Sequence, residues 1–272
     1  MTIKSITIKS EPLRFLDVGE GPALLFGHGY LLNMDMWRSQ IDLLSQSYRC
    51  IVPDLWGHGE SLTIPENTRS LADVADDMLT LMDSLDIDTF SLVGFSIGAM
   101  WGAEVAIKAP SRVTSFVMAD SFLGFEPEVL TAKYNKMLAN IQQLNLIPAP
   151  TIEEIVPLYF AHNAEQNTPQ LLNEMRSTLS LFDASRIPAI VAVGHMQFNR
   201  REILLDFEKL ALPVLLLVGQ EDKQRPYLES YLMHDSIDGS EFVVIPNAGH
   251  VSNIEQPDVF NKALVDFLAK YH

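Results

Sequence analysis

A chain of 272 residues, 47% of them hydrophobic, is long enough for one large α/β domain or a domain with an insertion, which excludes a fibrous or disordered protein. Its 19 lysines and arginines against 35 aspartates and glutamates leave a net charge of −16, so nucleic acid and anionic membrane surfaces are repelled. The single cysteine, Cys50 in the apolar run Cys50-Ile51-Val52, excludes an internal disulfide and fits a reducing compartment.

The N-terminal stretch, residues 2–9, alternates polar and apolar like a strand and lacks the apolar core of a signal peptide. No run reaches transmembrane length, and a cytoplasmic protein that meets no membrane is expected. A second strand over 12–18 follows, with a turn near Glu11-Pro12. Pro22-Ala23-Leu24-Leu25-Phe26 is continuously apolar, the mark of a strand buried on both faces of a parallel sheet, and it empties into Gly27-His28-Gly29-Tyr30. Residues 34–46 have helical spacing. Arg49-Cys50-Ile51-Val52-Pro53 is another buried strand, ending in Asp54-Leu55-Trp56-Gly57-His58-Gly59-Glu60-Ser61. Leu71, Val74, Ala75, Met78, Met82 and Leu85 share one helical face. The strand that follows ends at Gly94, a helix begins after Ser96, and Val113 to Ala119 is a further strand.

From about 123 to 206 the alternation stops. Helical pieces punctuated by Pro127, Pro148, Pro150, Pro157, Pro169 and Pro188 carry no buried strand. An insertion between two strands of a parallel sheet sits over the strand ends, where the active sites of open α/β sheets lie. This divides the chain into a core, 1–122 with 207–272, and a helical cap, 123–206. Strands at 212–218 and 241–246, a helix near 226–236 and a closing helix from Pro257 restore the pattern and bring the strand total to eight.

Gly94-Phe95-Ser96-Ile97-Gly98 falls at a strand-to-helix turn, and that context carries more weight than the Gly-x-Ser-x-Gly pattern itself. A serine hydroxyl is a poor nucleophile until a base takes its proton. A sharp turn presents the side chain at the strand end, and the new helix aims N–H groups at the same spot. The base and acid are expected at later strand ends. Strand 212–218 runs into Gly219-Gln220-Glu221-Asp222, and strand 241–246 into Asn247-Ala248-Gly249-His250. Of seven histidines, His28 and His58 sit in glycine turns before Ser96, where loop hydrogen bonding is their expected work. His162, His195 and His234 lie in or beside helices, and His272 is terminal, so His250 is the expected base. Two carboxylates compete as its partner, Asp120 after the strand that precedes the insertion and Asp222 after the next core strand; Asp222 is preferred, while Glu221 is expected to point the other way.

These motifs, in the order His28-Gly29, Asp54-x-x-Gly57-His58-Gly59-x-Ser61, Gly94-x-Ser96-x-Gly98, Gly219-x-x-Asp222 and Gly249-His250, resemble those of the α/β-hydrolase fold superfamily. Within it the chain is similar to 3-oxoadipate enol-lactonases, carboxylesterases and cofactor-free haloperoxidases. The resemblance implies a mostly parallel, twisted, eight-stranded sheet with helices on both faces and a helical cap inserted after the sixth strand. It implies a triad of Ser96, His250 and Asp222, with an oxyanion hole formed by the backbone N–H groups of Tyr30 and Ile97. The Tyr30 side chain is left to line the pocket. A serine at position 96 excludes the carboxylate chemistry of haloalkane dehalogenases and leaves acyl transfer.

No metal-ligand cluster or phosphate loop is evident, and Gly94-x-Ser96-x-Gly98 is not a dinucleotide fingerprint, so no metal and no cofactor are expected. The expected partner is a small to medium ester or lactone; a homo-oligomer stays open. Met137, Phe160, Phe182, Met196 and Phe198 are candidates for an apolar substrate pocket and equally for a small core of the cap. Arg200-Arg201 reads either as a clamp for a substrate carboxylate or as a solvated charge pair. Hydrolysis of a carbon–carbon bond in a diketone, cofactor-free oxygenase or perhydrolase chemistry, and a non-catalytic ligand receptor remain as alternatives.

Overall fold

The computed structural model describes residues 2–207, 209 and 211–271. The chain opens with β1 (Ile3–Ile8) and β2 (Glu11–Val18), an antiparallel hairpin. Its turn falls on Lys9-Ser10, both with positive φ, rather than at Glu11-Pro12; Pro12 is inside β2, opposite Thr7. The two-residue turn matches the right-handed twist of the strands, which explains the shift. After β3 (Ala23–Gly27), the helical spacing of 34–46 resolves into a 3-10 turn at Met34–Trp37 and α1 (Arg38–Leu44). Then come β4 (Arg49–Pro53), α2 (Leu71–Ser84), β5 (Phe90–Phe95), α3 (Ile97–Lys108) and β6 (Val113–Ala119).

Between β6 and the next strand the described chain is helical: α4 (Glu128–Leu144), α5 (Ala149–Tyr159), α6 (Ala164–Asn167), α7 (Pro169–Ser180), α8 (Ile187–Phe198) and α9 (Leu204–Phe207). The chain closes with β7 (Val214–Gly219), α10 (Tyr227–Ser236), β8 (Glu241–Ile245), α11 (Ser252–Glu255) and α12 (Pro257–Leu268).

The eight strands form one sheet in the order β1-β2-β4-β3-β5-β6-β7-β8. β1 and β2 run antiparallel to their neighbours and the rest are parallel, with helices packed on both faces. The central strands are buried on both sides, as their unbroken apolar runs require, whereas β8 at the sheet edge is half-exposed. Register matters most for the site. Gly27 pairs with Gly94, Phe95 with Ala119, Ala119 with Leu217 and Gly219 with Ile245, so the segments beginning at His28, Ser96, Asp120, Gln220 and Pro246 all leave the sheet at one end.

Helix α3 packs flat against this end of the sheet, and one glycine contact permits it. A Cβ on Gly98 would stand 2.1 Å from the carbonyl oxygen of Gly27, backbone against backbone. Gly98→Ala is therefore expected to cost about 2–4 kcal/mol, seen as a Tm lower by on the order of 10 °C in a thermal melt. A melt unchanged within error would show that α3 has room to shift.

Candidate active site

Ser96 is the hinge between β5 and α3, and its backbone is strained to φ 52°, ψ −120°. The strain is held from both sides. Ser96 N–H donates to Ala119 C=O at 2.9 Å, and Ser96 C=O accepts from the Ser121 hydroxyl at 2.8 Å as well as from the amides of Ala99 and Met100 in α3. The side chain projects toward His250, whose Nε2 is 3.2 Å from Ser96 Oγ. On the other side of the ring, Nδ1 is 2.8 Å from Asp222 Oδ2. Asp222 Oδ1 in turn accepts from the amides of Gln224 and Arg225 at 2.8 and 2.9 Å. Since Oδ2 can only accept, Nδ1 carries the proton and Nε2 is left to receive one from Ser96. All three side chains are at least nine-tenths buried, and the ring is gripped between Phe95 and Tyr159, at centroid distances of 4.8 and 5.5 Å. The structure thus brings together the serine, imidazole and carboxylate proposed from the sequence.

The loop around Tyr30 is fixed by the two early histidines. His28 donates from Nδ1 to Gly29 C=O at 2.8 Å and accepts Leu55 N–H at Nε2; His58 donates from Nδ1 to Trp56 C=O and accepts Leu31 N–H at Nε2. Each must be neutral to do this. Burial pushes their pKa values down to about 4 and about 3. Leu32 N–H also donates to Gly29 C=O, and the Tyr159 hydroxyl donates to Tyr30 C=O at 2.8 Å. Both peptide units beside Tyr30 are therefore held, while the N–H groups of Tyr30 and Ile97 donate to nothing among the described residues. Two unpaired donors at buried positions, one of them at the positive end of α3, are what a developing oxyanion needs.

The Asp54 motif is a brace. Its carboxyl accepts Met34 N–H and Glu60 N–H at 2.8 Å each, and burial raises its pKa to about 6; Ser61 Oγ accepts Arg14 N–H. Glu221 points away from the triad, as expected, to accept both N–H and Nδ1–H of His162.

Other sequence candidates are dispersed. The Tyr30 hydroxyl does not stand free to line a pocket: it donates to Ile190 C=O in α8 at 2.9 Å. Phe198 wedges between the rings of Tyr30 and Tyr134. Phe160 and Phe182 line a cleft of about 1050 Å³ whose walls include Leu31 and Val251, the chain neighbours of Tyr30 and His250. Met196 lines a separate cavity of about 670 Å³, and Met137 is half-buried within α4 and lines neither. Arg201 is spent on Glu104 and Asp206, and Arg200 is buried against Glu126, which also pairs with Arg225. Arg201 is therefore committed, whereas Arg200 lines the smaller cavity and keeps Nε and Nη2 buried without a partner among the described residues. No group of metal-ligating side chains is found among the described residues, and no described helix is long and apolar enough to cross a membrane.

Several residues at the site were invisible in the sequence. Tyr159 touches the imidazole and also ties the Tyr30 loop down. Glu255 accepts the amides of Gly249 and Ala161, joining the His250 loop to the segment after α5. Lys223, beside Asp222, donates to the carbonyls of Pro157 and Phe160. A carboxylate five residues after a loop histidine was the only available signal, and it fits a surface helix equally well.

A buried serine–imidazole–carboxylate relay at the strand ends of a mostly parallel sheet is the architecture of an α/β hydrolase. The chain belongs to the alpha/beta hydrolase fold family, which matches residues 22–257. It is 23% identical over 270 residues to 3-oxoadipate enol-lactonase 2 of Acinetobacter baylyi, spanning 98% of this chain and 97% of that one. A thermophilic esterase from Thermogutta terrifontis, solved with malate bound, superposes over the whole of both chains with a TM-score of 0.90 at 28% identity. The enol-lactonase of Burkholderia xenovorans superposes with a TM-score of 0.87 at 20% identity, over 98% of this chain and all of that one; this likeness speaks for the fold alone.

Proposed function

We propose that the protein is a serine hydrolase that cleaves a small to medium carboxylic ester or lactone through an acyl-enzyme on Ser96. The observation that carries this reading is the unbroken relay from Ser96 Oγ to His250 Nε2 at 3.2 Å and from His250 Nδ1 to Asp222 Oδ2 at 2.8 Å. As Oγ attacks the substrate carbonyl, its proton passes to Nε2 and the imidazolium is stabilised by Asp222. The tetrahedral oxyanion is received by the N–H groups of Tyr30 and Ile97, a contribution of several kcal/mol. Collapse expels the alcohol, which takes the proton from Nε2. Water, deprotonated by the same nitrogen, then attacks the acyl-enzyme and releases the acid. The named activities of the lactonase and esterase relatives support this chemistry.

Residues 123–206 serve as a cap that selects the substrate. They carry Tyr159, Phe160 and Phe198, which meet the imidazole, the wall of the larger cleft and the Tyr30 ring respectively. The test is a panel of chromogenic short-chain esters, lactones and thioesters, run beside a fluorophosphonate probe. Turnover of an ester or lactone with covalent labelling at Ser96 is expected. A protein that turns over none of them and leaves Ser96 unlabelled would refute the reading.

A further inference from the structure

Next to the proposed relay sits a carboxyl group that the relay does not use. Asp120 directly follows β6, in a left-handed backbone with φ 49°, and its side chain is wholly buried. Its Oδ1 accepts Gly219 N–H at 2.7 Å, at the start of the loop that carries Asp222. Its Oδ2 lies 2.5 Å from the hydroxyl of Ser252, two residues beyond His250. Asp120 N–H donates to Leu217 C=O in β7, and the residues on either side of it, Ala119 and Ser121, grip Ser96. One residue thus touches the acid loop and the base loop directly and the nucleophile turn through its neighbours.

No lysine or arginine pairs with this carboxyl among the described residues. The charged groups acting on it are Asp222 and Glu255, both acids, and the nearby imidazole of His250 is already bonded to Asp222. Asp222 has three donors: two amides and the imidazole N–H. Asp120 has two neutral ones. Two neighbouring buried carboxyls with such unequal support divide the charge between them, the better solvated one keeping it.

We propose that Asp120 is a positioning residue that carries a proton, an un-ionised carboxyl that pins the acid and base loops to the end of β6 without placing a second negative charge beside Asp222. The proposal rests on the reading of Ser96, His250 and Asp222 as the working triad. In the neutral form the short contact survives with its roles exchanged, the acid O–H donating to Ser252 Oγ while Oδ1 still accepts Gly219 N–H. Burial and the charge of Asp222 both act to hold the proton on, raising the pKa of Asp120 well above the usual carboxylate range.

Asparagine is the neutral mimic of this state: its Oδ1 accepts from Gly219 and its amide donates to Ser252. D120N is therefore expected to keep kcat within about threefold and to leave the acid limb of the pH–rate profile where it was, whereas Asp120→Leu, which forms neither bond, loses about 10- to 100-fold in kcat. A profile displaced by a unit or more in D120N would show that a real charge had been removed, and would overturn the proposal. Infrared spectroscopy gives a readout that needs no turnover. At pH 7 the wild type is expected to show the C=O stretch of a protonated carboxyl that is missing in D120N. If the two spectra match in that region, Asp120 is ionised and the idea falls, whatever the substrate proves to be. If instead no ester is hydrolysed but the band is present, the proposed reaction fails and the proton on Asp120 stands.

Discussion

Ser96→Ala is expected to lower kcat/KM for the best ester of the panel by on the order of 10⁵- to 10⁶-fold while leaving the fold intact. The size of the effect follows from the relay acting as a unit. Without Oγ there is no atom for His250 to activate, and what remains is substrate binding and the oxyanion donors. The fold survives because, among the described residues, the Oγ contact is to His250 alone, while the strained turn is held through the Ser96 backbone N–H and C=O, bonded to Ala119 C=O and the Ser121 hydroxyl, which alanine keeps. The melt should therefore stay within a few degrees of the wild type, and the fluorophosphonate should no longer label. Near-parental turnover in this variant would remove Ser96 from the mechanism and leave a chemistry based on His250 and Asp222.

Asp222→Asn is expected to lose about 10⁴-fold in kcat, the loss the amide causes in serine proteases. The hydrogen bonds say why the amide fails in this chain. Asp222 uses Oδ1 for two backbone N–H groups and Oδ2 for the imidazole, so every atom facing it is a donor. An asparagine has one acceptor to offer. If its oxygen stays with the two amides, its NH₂ faces Nδ1, the ring must accept there, and the proton moves to Nε2, where it confronts Ser96. Glu221→Gln makes the control: Glu221 bonds His162 on the cap side and should retain most activity. A crippled Glu221→Gln beside an active Asp222→Asn would reassign the acid.

The proposed triad was legible because each member follows the end of a strand, two of those strands, β5 and β7, being buried on both faces and so continuously apolar. Ser96, Asp222 and His250 stand at the breaks after β5, β7 and β8, and parallel strands in register carry such breaks to one end of a sheet. The histidines sorted themselves by the same logic, since glycine turns at His28 and His58 mark loops that need internal hydrogen bonds. The sequence alone does not separate Asp120 from Asp222. Both follow strands, and only the direction of each side chain separates a partner of the imidazole from a pin between loops.

What the sequence determined by itself was the order of strands and helices, the helical character of 123–206 and the serine and histidine of the proposed relay, all of which follow from local hydrophobic period and turn chemistry. The tertiary structure alone decided where Tyr159, Glu255 and Ser252 go, that the Tyr30 hydroxyl is tied to α8, and that Arg200 and Arg201 pair with Glu126 and Glu104. Apart from the bond from Gly249 to Glu255, six residues away, those contacts join segments tens to more than a hundred residues apart. A polar side chain has no periodicity that reveals its partner, because hydrogen bonds and ion pairs are chosen by the distance and direction that packing creates.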